Sequence, residues 1–185
     1  QVLGNADSSP TEKREAINLA IAELEKGVAE EPTHVRHYLY VGSIVNRATI
    51  SGYLTADKAV DYLTRAIPLS PTRPQVYFEL CQSYLLKKDF EAGLNNFEKG
   101  VALSPTVIDS QVDLAVAYIV TDHLDQAKAA INKIQEDEIL RRRFDESHPL
   151  RIIQALENTK HYELIPEIYQ ILIKKYPEKP DYYAQ

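Results

Sequence analysis

Residues 69–106 read LSPTRPQVYFELCQSYLLKKDFEAGLNNFEKGVALSPT, a stretch that opens and closes on the same four letters, 34 positions apart. Leu80 and Tyr84 recur in the same register as Leu114 and Tyr118. A fixed spacing of roughly 20 to 50 residues is the mark of stacked supersecondary units, each too small to bury its own apolar face. Inside this unit the apolar residues fall at helical spacing, first Tyr77, Leu80, Cys81 and Tyr84, then Leu94, Phe97 and Val101. The spacing predicts a first helix from about Pro74 to Lys87, with a proline in its first turn, where the missing N–H costs nothing. After a polar break at Lys88-Asp89 it predicts a second helix from Phe90 to Leu103, stopped by Pro105, which cannot continue it.

The same pattern extends in both directions. Residues 108–143 carry Leu114, Ala115, Tyr118, Leu124, Ala127, Ile131 and Ile134, with Ile139 standing where a closing proline is expected. Residues 33–71 place Tyr38, Val41, Gly42 and Val45 on a first helix and Ala59, Leu63, Ala66 and Pro71 on a second, with about five extra residues around Arg47 to Thr55. Before them, residues 11–31 supply Ile17, Ala20, Leu24 and Gly27 ahead of Pro32, a second helix without a first. Ser9, Pro10 and Glu12 mark its start as a capping box. Residues 146–179 form a weaker hairpin through Ile152, Ile153, Leu156, Tyr162, Tyr169, Leu172 and Pro177. Asp181, Tyr182 and Tyr183 within residues 180–185 read as the start of another, and the chain opens on Gln1 rather than methionine. The expectation is a piece of a longer protein, folded over residues 1–185 as one stack.

This pattern resembles the tetratricopeptide repeat, whose places run aromatic, leucine, small, tyrosine, aromatic, small, aromatic, small, proline. Tyr77, Leu80, Cys81, Tyr84, Phe90, Gly93, Phe97, Gly100 and Pro105 fall on them. The resemblance implies an all-α solenoid of helical hairpins, an α-α superhelix. It implies a scaffold for protein–protein interaction and no enzyme, with a partner peptide or protein held on the concave face of successive first helices. The matching places are Leu39, Ser43 and Asn46, then Gln75, Phe78, Glu79, Gln82 and Leu85, then Asp109, Val112, Asp113, Val116 and Ile119. Relatives that clamp a terminal carboxylate use lysine, asparagine and arginine there; this chain has Glu79, Asp109 and Asp113, so the clamp is missing. An acidic rim beside apolar residues implies a partner with apolar anchors and positive charge. A second resemblance, of residues 67–79, is to the repeats appended to bacterial O-antigen-ligase-like membrane glycosyltransferases. It implies an accessory domain outside the cytoplasmic membrane.

Charge and composition narrow the alternatives. The 21 basic and 27 acidic residues give a formal charge of −6, which opposes non-specific attraction to nucleic acid or anionic lipid. No apolar run approaches the roughly 20 residues that span a bilayer, so no membrane insertion is expected of this segment. Cys81 is the single cysteine and sits on a small-residue place, which predicts an inert buried thiol. His34 and His37 offer two metal ligands three apart, but no third ligand follows at usable spacing, and they read as solvated residues near a helix start. Asp122, His123 and Asp125 read as polar turn residues, and most of the 12 tyrosines as core. The acid-then-base order of Asp137 and Glu138 with Arg141 and Arg142 predicts pairs four apart on a solvated helix end. Neither a cofactor nor a metal is expected. The orphan helix is expected to expose Ile17, Ile21 and Leu24. Residues Gln1 to Asn5, or a second copy through self-association, would then cover them.

Overall fold

The computed structural model describes residues 9–182, except for the side chain of Pro180. All regular elements among them are helical: α1 (Pro10–Glu30), α2 (Val35–Ile50), α3 (Asp57–Ala66), α4 (Pro74–Leu86), α5 (Phe90–Ala102), α6 (Ile108–Val120), α7 (Leu124–Glu136), α8 (Glu138–Arg143), α9 (Ser147–Thr159) and α10 (Ile165–Lys175). Short 3-10 turns cover Tyr162–Leu164 and Pro180–Tyr182. The capping box at α1 forms as read: the Glu12 N–H donates to Ser9 Oγ at 3.2 Å and the Ser9 N–H to Glu12 Oε2 at 2.7 Å.

The structure divides into two compact units, residues through Leu103 and residues from Ser104, each with its own buried cluster. In the first unit Ile17, Ile21 and Val28 of α1 are buried with Tyr38, Val41 and Val45 of α2, Ala59, Leu63 and Ala66 of α3, and Val76 and Leu80 of α4. The second unit gathers Val112, Ala115 and Ile119 of α6, Ala127, Ile131 and Ile134 of α7, Leu140, Phe144, and Ile152 and Leu156 of α9 with Ile168 and Leu172 of α10.

Two local devices repeat. The residue six places after each of Pro32, Pro71 and Pro105 sends its polar tip back to that proline's carbonyl. Tyr38 Oη donates to Pro32 O at 2.8 Å, Tyr77 Oη to Pro71 O at 2.9 Å, and Gln111 Nε2 to Pro105 O at 3.1 Å. A buried hydroxyl or amide is thereby satisfied while its body fills the core. Inside the hairpins, α2, α4, α6 and α9 all end on a left-handed residue, namely Gly52, Lys88, Asp122 and Lys160 with φ of 77°, 62°, 62° and 64°. The next N–H in each case reaches a carbonyl five back, at 2.9 Å for Tyr53 to Ala48 and 2.8 Å for His123 to Tyr118. This is the Schellman ending, which satisfies carbonyls the helix leaves open.

Several expectations are corrected. Ile17 and Ile21 are buried within unit 1 and Leu24 packs on the same cluster, because α2 covers that face of α1; Gln1 to Asn5 lie outside the described residues. The extra residues near Arg47 lengthen α2 to Ile50, and Tyr53 and Leu54 then pack back on the core. Asp137 forms no helical pair with Arg141. It leaves α7 and caps α8, accepting from the N–H groups of Ile139 and Leu140 at 2.8 and 3.0 Å, so that only Glu138 pairs with Arg142.

Candidate functional site

In unit 1, α2 and α4 touch and are cross-linked by polar side chains. Asn46 Nδ2 donates to the Glu79 carbonyl at 2.9 Å and to Glu79 Oε2 at 3.0 Å, and Ser83 Oγ donates to Asn46 Oδ1 at 2.8 Å. Asn46 is 1% exposed, so it is a buried strut between first helices and offers nothing to a ligand. Phe78 is half-buried and packs within its own hairpin. Its ring lies 5.5 Å from that of Phe97 and so close over Gly100 that a methyl there would sit 2.5 Å from it. What this face presents outward is Gln75 and Gln82, both exposed, Leu39, Ser43, Phe78 and Glu79, half-buried, and Leu85, which is 41% exposed.

In unit 2 the places read from the sequence divide more sharply. Val112 and Ile119 have no exposed surface, because α6 turns them into the core it shares with α7 and α9, and they are removed from the candidate face. Val116 is half-buried. Asp109 and Asp113 both meet Arg151 of α9; Arg151 Nη1 is 3.2 Å from Asp109 Oδ1, and Nη2 donates to Asp113 Oδ1. His148, buried on the same helix, brings Nε2 to 3.5 Å from Asp109 Oδ1. With Glu79 holding Asn46, all three rim carboxylates have partners within their own unit, while Asp109 keeps 68% of its side chain exposed. Arg151 is the residue that sequence reasoning missed, since nothing local ties it to a helix 38 to 42 residues earlier.

The other singled-out residues show no converging catalytic set. Burial pushes the Cys81 thiol up to about 11, which holds it protonated and inert at neutral pH. His123 Nδ1 lies 2.9 Å from Thr121 Oγ1 inside its own turn. No third ligand follows His34 and His37, but Glu31, which precedes them, brings a carboxylate oxygen within 4.8 Å of a ring nitrogen of each. No described helix is long and apolar enough to cross a membrane.

No protein-family model matches the chain, and no curated protein matches it in sequence. Solved structures do match. The crystal structure of MamA superposes with a TM-score of 0.63 at 18% identity, over 92% of this chain and 94% of that one. A tetratricopeptide repeat protein from Parabacteroides merdae gives 0.63 at 16% identity, over 91% of this chain and 63% of that one. YrrB, a tetratricopeptide protein with an unusual peptide-binding site, gives 0.60 at 12% identity, over 92% of this chain and 83% of that one. The period in the sequence, the hairpins it builds and these likenesses agree that the chain has the tetratricopeptide-repeat fold.

Proposed function

We propose that this chain is a protein-interaction module that receives a partner segment on the α2–α4 face of unit 1, through apolar contacts with a polar border. The observation that carries this reading is Leu85. It stands 41% exposed near the end of the first helix α4, one turn from the exposed Gln82, with Gln75 exposed at the start of the same helix and Leu39 half-buried on α2. A large exposed apolar side chain on a helix that also carries exposed amides suits a partner whose few apolar anchors supply most of the affinity while polar contacts supply register. The Asn46–Glu79–Ser83 struts hold the two helices fixed, so little ordering cost falls on the module when a partner docks. YrrB supports the reading as a protein of this fold that has a peptide-binding site. The internal pairing of Asp109, Asp113 and Glu79 makes the partner's charge secondary to its apolar anchors.

Affinity capture with the chain as bait, repeated with Leu85→Glu and Gln82→Glu, tests the assignment. Both positions are exposed, so Gln82→Glu should melt within about 2 to 4 °C of the parent, as surface changes do, and circular dichroism checks that Leu85→Glu, whose parent side chain also meets Gly93, stays folded. Partners captured by the parent should be lost by Leu85→Glu. Equal capture by the parent and both variants refutes this face as the site.

A further inference from the structure

The geometry points to a Zn2+ site at the α1–α2 turn, made by Glu31, His34 and His37, that ties the end of α1 to the start of α2. Glu31 is the C-cap of α1, His34 is the N-cap of α2, and His37 lies in the first turn of α2. One ligand atom from each lies within 4.8 Å of the other two. His37 Nε2 is 3.2 Å from Glu31 Oε2, and the two imidazole rings are 4.7 Å apart, centre to centre.

Those distances suit a metal. Donors bound to zinc at about 2.0 to 2.2 Å in tetrahedral array stand roughly 3.3 to 3.6 Å from one another. The Glu31–His37 pair already has that separation, and a small turn of the exposed His34 ring brings in the third donor. Backbone bonds hold the three residues in one tight succession: the His34 N–H donates to Glu31 O at 2.9 Å and the His37 N–H to His34 O at 3.1 Å. Gly27 clears the space for the His37 ring, because a methyl there would sit 2.9 Å from Nδ1. Two imidazoles and one carboxylate form a borderline donor set that selects zinc and its neighbours over the hard, oxygen-seeking Mg2+ and Ca2+. Glu31 and His34 are exposed, so a fourth position is open to water or to a side chain of a bound partner.

Zn2+ titrated calorimetrically into the tag-free full chain, with imidazole signals followed by NMR, tests the site. The expected result is one ion per chain, with the His34 and His37 rings perturbed and those of His123, His148 and His161 unchanged. Glu31→Gln and His34→Ala change exposed residues and should leave helicity intact while weakening binding about tenfold or more, since each removes one of three ligands. Added Zn2+ should raise the melting temperature of the parent and not of either variant. The proposal is overturned by no binding at millimolar Zn2+, by affinity unchanged in either variant, or by a response at His123 or His161 in place of His34 and His37.

Discussion

Replacing Gly42 by alanine probes a close helix contact in unit 1. A methyl at that position would lie 2.5 Å from Leu63 Cγ and 2.6 and 2.8 Å from its two δ carbons. Carbon atoms in contact prefer about 3.5 to 4.0 Å, so α2 and α3 must part by about 1 Å or Leu63 must leave its rotamer. Leu63 has 0% exposure and no solvent side to swing into. Overpacking of this kind costs about 1 to 3 kcal/mol, and three contacts inside normal range put this site in the upper half. Alanine's better helix propensity returns about 1 kcal/mol, leaving a net loss of about 1 to 2 kcal/mol. Leu63→Ala alone should cost about 2 to 5 kcal/mol through its cavity. The double variant places the new methyl in that cavity, so it should be more stable than the sum of the singles by about 1 to 2 kcal/mol. The measurement is amide hydrogen exchange of α2 and α3 in rising urea, which reports unit 1 by itself. A stabilised Gly42→Ala, or strict additivity in the double variant, would refute the close contact.

Lys88→Gly should stabilise unit 1 by about 0.5 to 1 kcal/mol, because relief of the left-handed conformation at φ 62° outweighs the added freedom of the unfolded chain; a lowered denaturation midpoint would count against the Schellman ending there. Tyr62 donates to Glu25 Oε1 at 2.7 Å, and burial, with that carboxylate beside it, raises its hydroxyl to about 12. The folded state therefore holds this proton more tightly than the unfolded chain, so the contribution is complete below about pH 10 and is lost as pH rises from about 10 to 12. Stability of the parent and of Tyr62→Phe, compared across that window, should converge with rising pH; a constant difference would show that the bond to Glu25 is not formed.

The period of 34 fixed most of the architecture in advance, because a hairpin that cannot bury its own face requires a neighbour and thereby fixes where helices, turns and core residues fall. Tyr38, Tyr77, Leu80, Leu63 and Ile134 are all buried where the pattern places them. Apolar spacing shows that a residue belongs to a first helix. It does not show how far that helix is rotated about its axis, and rotation decides whether Val112 and Ile119 face a partner or the core. That angle is set by side chains packing from other helices, as Gly42 and Leu63 set it between α2 and α3. Long-range pairing is silent for the same reason: Asn46 meets Glu79 and Ser83, and Asp109 meets Arg151, across 33 to 42 residues. Glu31 joins His34 and His37 because the chain reverses there, and only the reversal brings a residue at the end of one helix beside the first turn of the next.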